Sequence, residues 1–194
     1  EEVTLPDAYR IGQVFSVELM GSKWERYCYR IRQGKQLYVD PYATSIAGRE
    51  VWNDTMRFGQ DDGCYGAFDV TYELPAQRGR WIEAQDMVMY KLHMRGFTMQ
   101  HGFKNAEKGT DAGILAGLPY LQKLGITSLE FQPFYEFEEV FYEKRQSLDE
   151  NGTSLVTYVP QEKTNYWGYG DAYYFAPKAS YFGGIQAPQR CRTM

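Results

Sequence analysis

The sequence is short of cysteine and histidine, and this scarcity limits the chemistry that it supports. Its 194 residues include 3 cysteines and 2 histidines. Cys28, Cys64 and Cys191 are widely spaced and lack a Cys-x-x-Cys or adjacent histidine pattern, which favours neither a disulfide framework nor a zinc site. We expect reduced, partly buried thiols and no metal site in this stretch.

Long apolar runs and clusters of basic residues are also missing. Charge or glycine interrupts each apolar run within about ten residues, well short of the ~20 needed to cross a bilayer. The acidic start, EEVTLPD, does not resemble a signal peptide. With 21 basic and 25 acidic residues and a net charge of -4, we expect a soluble protein whose partners are neither nucleic acid nor membrane.

Aromatic side chains, in contrast, are abundant. They make up 16% of the sequence, with 17 tyrosines and 4 tryptophans. A β-rich fold explains this abundance, because aromatic residues favour strands, and so does a surface that stacks on ring-shaped ligands. The stretch NYWGYG (165–170) places three rings beside two glycines, a combination that suits either sugar rings or a packed loop.

The first part of the chain, up to a change near residue 84, has the pattern of short strands. QVFSVELM, RYCYRIR and QLYVD alternate apolar with polar residues between GSK and QGK turns, which predicts an antiparallel meander or part of a sandwich. DPYATSIAGREVWND is interpreted as irregular with a possible short helix, and DDGCYGAF as a turn before another extended piece. Asp61 and Asp62 are predicted to form that turn rather than a calcium loop.

The second part predicts a strand, a helix and a strand. MVMYKLHMRGF (87–97) has two largely apolar faces, typical of a strand covered on both sides. Thr110 or Asp111 is predicted to cap a helix that ends at Gly125, with Pro119 in its first turn or at a kink. ITSLEFQPF (126–134) supplies the second strand. This order predicts one right-handed parallel β-α-β unit.

A long connection follows the second strand. Pro133 is expected to end that strand, and about thirty residues without predicted structure then lead to NYWGYG; connections of this length are usually functional or disordered. Ligand sites of barrels and open parallel sheets lie at the carboxyl ends of the strands. The aromatic stretch is therefore expected near the carboxyl end of the second strand, where a ligand site is expected.

Four blocks of sequence together resemble a known family. YRIRQGKQLYVDPYA (29–43), MVMYKLHMRGFT (87–98), GILAGLPYLQKLGITSLEFQPF (113–134) and NYWGYGDAYYFAPKASY (165–181) occur in the order seen in glycogen debranching enzymes and type I pullulanases of the α-amylase superfamily. The resemblance implies a multidomain β plus α/β fold. A partial starch-binding-like β-sandwich with a connector would span residues 1–83, and the incomplete start of a (β/α)8 TIM barrel would span residues 84–194.

The resemblance also implies a binding site. In the family's N-W-G-Y block the tyrosine stacks on the sugar at the cleavage subsite, which implies substrate contact by Tyr169, with Trp167 and Asn165 shaping the loop. Tyr166 is an extra residue relative to the commonest form. The family's catalytic carboxylates come from its fourth, fifth and seventh barrel strands, so no residue here is implied to be catalytic. No cofactor is expected; calcium is a possibility only for the parent protein and is not assigned to any residue of this stretch.

Other side chains with possible chemistry have simpler interpretations. Glu130 and Asp171 form a conceivable catalytic pair, but we favour an ion-paired or barrel-layer residue and a turn residue, respectively. His93 and His101 are isolated, and His93 is expected to be a hydrogen-bonded core residue. Tyr173 and Trp167 are expected to pack more than to bind.

These implications converge on part of a glycoside hydrolase that cleaves α-1,6 branch linkages in pullulan, glycogen or limit dextrin by a retaining mechanism, the piece itself being inactive. Its partner would be α-glucan, and its location cytoplasmic, or secreted with the signal outside this stretch. The alternatives are a carbohydrate-binding module using Trp24, Tyr27 and Tyr29, and a glycogen branching enzyme. Two barrel strands alone expose edges and an apolar face, so we expect self-association through the truncated barrel.

Overall fold

The computed structural model describes residues 2–18, 26–57, 63–69, 81–100, 102 and 108–194. Trp24, Asp61, Asp62 and His101, together with the predicted GSK turn, lie outside the described residues. Strands dominate the described part, and the helices are few and short. Short 3-10 turns occur at Asp7–Tyr9, Ala84–Asp86 and Gly184–Gln186.

The first half contains two small antiparallel hairpins. β1 (Arg10–Ile11) pairs with β2 (Val14–Phe15), and β4 (Ile31–Gln33) pairs with β5 (Gln36–Tyr38) around the predicted QGK turn. The strand predicted over QVFSVELM is therefore shorter than expected, since only Val14–Phe15 forms a strand among its described residues.

The first half also contains a three-stranded antiparallel sheet. Its order is β3 (Arg26–Tyr29), then β7 (Tyr65–Asp69), then β6 (Ser45–Ala47). β6 corrects the prediction of a possible short helix in DPYATSIAGREVWND. Ile46 is fully buried and pairs with Gly66, and a β-branched side chain between packed neighbours favours strand over helix.

The second half contains the predicted parallel unit. β8 (Met89–Leu92) and β9 (Ser128–Phe131) run parallel, with Met89 opposite Ser128 and Leu92 opposite Phe131. The helix α2 (Asp111–Lys123) lies between them in sequence. Pro119 lies in its interior and not in its first turn, so the helix is the longer of the two possibilities that the sequence left open. Gly125 follows α2 with a φ of +80°, as predicted for a C-terminal glycine.

The predicted end of the first parallel strand is wrong. The strand stops at Leu92, and a short helix, α1 (Met94–Met99), begins immediately afterwards. His93 caps α1 through its side chain, which accepts a hydrogen bond from the Gly96 N–H at 2.9 Å. This local side-chain bond competes with strand continuation, and alternation of apolar residues does not reveal it.

The two faces of the parallel pair differ. Leu92 is buried in the main core with Ile114 and Leu121 of α2, and Leu129 and Phe131 pack against the same core. Because side chains alternate along a strand, Lys91 and Glu130 lie on the opposite face, where they form an exposed ion pair of 2.6 Å.

The connection after β9 is mostly extended, which corrects the prediction of a structureless excursion. β10 (Tyr135–Phe137) pairs with β13 (Ala172–Pro177), and β11 (Val140–Leu148) pairs with β12 (Ser154–Thr164) in a long antiparallel hairpin. Asp149 closes the hairpin turn by accepting the N–H groups of Asn151 and Thr153 with its side chain. The turn sequence Asp-Glu-Asn-Gly is itself a hairpin signal.

The tail is helical. α3 (Ala179–Phe182) is almost fully buried, and α4 (Ala187–Thr193) follows it. Arg190 of α4 pairs with Asp111 at the start of α2. In the part of the chain that the structure describes, no helix is both long enough and apolar enough to span a membrane.

A second, smaller core joins the two halves. Val39, Ala43, Ile46 and Cys64 come from the first half, and Tyr173 and Ala176 come from β13. Cys64 is fully buried, Cys191 is partly buried and Cys28 is exposed, and these three cysteines form no disulfide with one another. The expectation of partly buried thiols therefore does not hold for Cys28.

Candidate functional site

The aromatic loop, residues Asn165–Gly170, connects the end of β12 to β13. Its first residue is fixed at the base of the hairpin, because the Asn165 N–H donates to Glu139 O at 2.7 Å. His93, which directly follows β8, contacts Tyr166 of the loop, so the loop lies at the carboxyl end of the parallel pair.

The side chain of Asn165 holds the loop in shape. Its amide Nδ2 donates to Glu138 O at 3.1 Å and to Tyr169 O at 3.3 Å, and its Oδ1 accepts the Gly168 N–H at 3.1 Å. One amide group thus closes the loop onto both the preceding strand and its own far end. These three polar contacts are all with backbone groups.

Tyr166 turns inward and packs. Its ring stacks on His93 with 4.6 Å between centroids, and it meets Trp52 edge-on at 6.2 Å. The extra residue of the loop is therefore a half-buried anchor. Sequence reasoning noted this residue as a departure but gave it no role.

Gly168 is required by two constraints at once. Its φ is +78°, and a Cβ at this position would lie 2.4 Å from Cε1 of the fully buried Phe137. A side chain is therefore excluded both by backbone conformation and by space. The close approach brings the loop directly against the core residue of β10.

Trp167 and Tyr169 face outward. Trp167 is 53% exposed and Tyr169 is 60% exposed, whereas Tyr173 is buried. The hydrogen bond and charge of Glu130 raise the pKa of Lys91. The loop thus presents two accessible ring faces on a backbone that is held by several bonds.

The structure also shows the surroundings of the other side chains for which the sequence suggested possible chemistry. Glu130 is ion-paired with Lys91, as the simpler interpretation predicted, and Asp171 is exposed. His93 is buried, with Nδ1 bonded to the Gly96 N–H and Nε2 2.9 Å from Tyr166 O, which confirms the prediction of a hydrogen-bonded core histidine. Burial lowers its pKa, and the bond to Tyr166 offsets part of that effect.

The rings proposed for a binding module are engaged in packing. Tyr27 stacks on Phe68 with 5.9 Å between centroids and an angle of 18°. Tyr29 donates its hydroxyl to Asp40 at 2.6 Å and lies 6.0 Å from the same phenyl ring. Neither tyrosine offers a free face comparable to Tyr169.

Sequence reasoning missed a buried group of charges behind the loop. Its members are Arg49, Arg57, Glu136, Glu138, Glu139 and Lys178, which form ion pairs with one another. The run Glu-Phe-Glu-Glu at 136–139 was the available signal, but a charge run is more often a solvated face. Within the described residues, no group of three or more His, Cys, Asp or Glu side chains is placed to hold a metal ion.

Comparison with curated proteins confirms the predicted resemblance. The chain is related in sequence to isoamylases, glycogen debranching enzymes and pullulanases. No family model matches it.

Three relatives illustrate the relationship. Chloroplastic isoamylase 1 of Arabidopsis thaliana is 29% identical over 93% of this chain and 24% of its own length. The glycogen debranching enzyme of Yersinia enterocolitica is 30% identical over 100% of this chain and 31% of its own length. Pullulanase A of Streptococcus pneumoniae is 29% identical over 84% of this chain and 13% of its own length. The chain thus spans less than a third of each relative.

Solved structures agree on the fold. A pullulanase of an Anoxybacillus species, solved with maltotetraose, has a TM-score of 0.51 and 25% identity over 85% of this chain and 22% of its own. A glycogen-degrading pneumococcal virulence factor, solved as a product complex, has a TM-score of 0.52 and 20% identity over 86% of this chain and 17% of its own. The mostly β architecture with few helices is therefore shared with a region of pullulanase-type proteins.

Proposed function

We propose that this chain forms part of an α-glucan debranching glycoside hydrolase that cleaves α-1,6 branch linkages in pullulan, glycogen or limit dextrin. The relationship to isoamylases and pullulanases supports the reaction class. The observation that carries the proposal is Tyr169, 60% exposed on a loop that Asn165 ties at the carboxyl end of a parallel strand pair. Ligand sites of barrel enzymes are built from loops at this end.

The architecture that we infer is a partial starch-binding-like β-sandwich and connector over residues 1–83, followed by the opening of a (β/α)8 barrel over residues 84–194. Short antiparallel strands before residue 70 support the first part. The parallel unit of β8, α2 and β9 supports the second. In such a barrel the helix-facing side of the pair is the one that carries Leu92, and Lys91 and Glu130 face the interior.

Within this scheme the outward rings bind sugar. An aromatic face with a hydroxyl at its edge suits the apolar face and polar rim of glucose, so Tyr169 stacks on the ring at the cleavage subsite and Trp167 lies beside it. Asn165 contributes by fixing the backbone between them through its bonds to Gly168 N and Tyr169 O.

The catalytic step requires groups that we do not assign to this stretch. A retaining glycosidase needs a nucleophilic carboxylate and a carboxylic acid about 5 Å apart across the scissile bond. Glu130 is paired with Lys91 at 2.6 Å, and we assign it a structural ion pair rather than a catalytic role. We therefore expect no turnover of pullulan by the 194-residue chain alone.

Binding of maltotetraose by the purified chain tests the proposal. Calorimetric titration should show saturable binding that Tyr169→Ala weakens by about tenfold, corresponding to the loss of one stacking contact. Tyr42→Ala is the matched control, because Tyr42 is also exposed and its ring meets Phe175 elsewhere on the surface. Equal affinity in both variants, or release of reducing ends from pullulan, contradicts the assignment.

The exposed apolar surface of the parallel unit supports self-association of this chain through the barrel opening. The exposed residues are Val88, Met89, Tyr90, Leu115 and Tyr120. In a complete barrel, neighbouring strands and helices would cover this surface. Light scattering at increasing concentration should show growth in mass, and a constant monomer mass argues against the proposal.

A further inference from the structure

We propose that His93 is a positioning residue that holds the aromatic loop so that Tyr169 can stack on sugar. The inference rests on the proposed function for the role of Tyr169. The bond between His93 and the loop is observed independently of that function. His93 occupies the single position between β8 and α1. It therefore joins the end of the first parallel strand to the loop that follows the hairpin.

The two ring nitrogens make different bonds. Nδ1 accepts the backbone N–H of Gly96 at 2.9 Å, and Nε2 lies 2.9 Å from the carbonyl oxygen of Tyr166. A backbone N–H can only donate and a carbonyl can only accept, so the neutral ring carries its proton on Nε2. One bond caps a helix, and the other fixes the loop.

The loop bond acts at the point where it most affects the exposed rings. The carbonyl that accepts from His93 belongs to Tyr166, directly before Trp167 and three residues before Tyr169. The imidazole also stacks under the Tyr166 ring at 4.6 Å and meets the edge of Trp167 at 5.7 Å. At the far end, Asn165 binds Tyr169 O, so the two side chains together fix both ends of the turn.

Two substitutions separate the cap from the loop bond. In His93→Asn the amide oxygen reaches the Nδ1 position and remains a good helix cap, but the side chain is too short to donate to Tyr166 O. In His93→Gln the terminal amide extends to the Nε2 position and retains a donor for Tyr166 O while the cap is lost. A purely structural role predicts that stability and ligand affinity change together in both variants.

The measurements are unfolding in urea, maltotetraose affinity and the fluorine resonance of 5-fluorotryptophan at Trp167, assigned with Trp167→Phe. Amide exchange at the start of α1 reports separately on the cap, because both variants lose one bond of a buried ring and should unfold at a lower midpoint. His93→Asn should keep the exchange protection, shift the Trp167 resonance and weaken affinity by about threefold to tenfold, the range for one hydrogen bond. His93→Gln should lose the protection while the resonance and affinity stay close to those of the unmodified chain.

The proposal is overturned if His93→Asn leaves the Trp167 resonance and the affinity unchanged, or if both variants lose affinity equally. Should His93→Asn fail to fold, His93→Gln decides, because a shifted Trp167 resonance in that variant contradicts the loop bond. Tyr169→Ala separates the two claims. If it does not weaken maltotetraose binding, the proposed sugar contact fails, whereas the Trp167 resonance still tests the role of His93.

Discussion

Lys178 and Glu136 form an ion pair in which both side chains are fully buried, with Nζ 3.0 Å from Oε1. Lys178 also donates to Phe137 O at 2.9 Å, and the second oxygen of Glu136 accepts the Ala179 N–H at 2.6 Å. The pair therefore connects β10 with the start of α3. Buried charges are tolerated when partners and hydrogen bonds compensate them in this way.

Two arginines from the first half complete the group. Arg49 is buried and bonds to both Glu136 and Glu138, and Arg57 pairs with Glu138. Burial works against the charge of Arg49, but Glu136 and Glu138 outweigh it and raise its pKa. Since Glu138 and Glu139 supply the carbonyls that hold Asn165, the charge group fixes the base of the aromatic loop.

Removing one charge from this group should be strongly destabilising. Lys178→Met leaves Glu136 and Glu139 buried without their ammonium partner, and breaking a buried pair costs about 3–5 kcal/mol. The free energy of unfolding in urea measures the loss. Lys91→Met is the control, because its pair with Glu130 is exposed and exposed pairs contribute little. Similar losses in both variants would show that burial does not govern the effect.

A methyl group at Gly168 should destabilise the loop more than one at Gly152. Both glycines have positive φ, +78° and +75°, but a Cβ at Gly168 meets Phe137 whereas Gly152 has open space. Gly152→Ala should lower the free energy of unfolding by about 1 kcal/mol, because alanine is strained in a left-handed backbone conformation. Gly168→Ala should lower it by about 1–3 kcal/mol more, because the added methyl group overpacks against Phe137. Thermal melts compare the two, and equal losses would rule out the steric contribution.

Much of the parallel unit follows from local sequence. β8, α2 and β9 were predictable because apolar residues recur with strand and helix periods and Gly125 marks the helix end. Their parallel pairing follows from the strand–helix–strand order. The end of β8 was not predictable from periodicity, since the decisive bond between His93 and Gly96 is a side-chain cap inside an apolar run.

The aromatic loop was located by composition, but its internal geometry was not. Two glycines beside three rings pointed to a tight loop, and Asn165 was expected to shape it. The buried charges that support it come from positions as distant as Arg49 and Glu138, which pair across 89 residues of sequence. No periodic pattern encodes such a pairing, and the hairpin after β9 was missed because its turn at Asp149 was not used as a signal.

Shortening the hairpin should leave the loop intact. Most of its side chains beyond Tyr142 are exposed on both faces, and the bond from Asn165 N to Glu139 O lies at its base. Joining Glu143 to Val159 through Asn-Gly should change stability by less than about 0.5 kcal/mol and preserve maltotetraose affinity. Asn165→Ala in the full hairpin serves as the comparison and should lose affinity. Loss of affinity in the shortened chain instead would assign the hairpin a direct binding role.

Stability should depend on pH through His93. Burial lowers the pKa of His93 below its ordinary 6.5, so the unfolded chain takes up a proton at a higher pH than the folded chain does. Its contribution to stability is therefore fully present above pH 6.5 and is lost as the pH falls through the lower folded pKa. The ring faces Arg95 of α1, Tyr166 of the loop and Tyr181 of α3.

The comparison with His93→Gln isolates this contribution from that of the carboxylates. The difference in unfolding free energy between the unmodified chain and the variant should be constant above about pH 7 and should shrink steadily towards about pH 5. Protonation of Nδ1 also removes the acceptor for the Gly96 N–H, so the same fall in pH should reduce amide-exchange protection at the start of α1. A difference that stays constant across this range would mean that His93 titrates alike in the folded and unfolded chains, and hence that its burial does not favour the neutral ring.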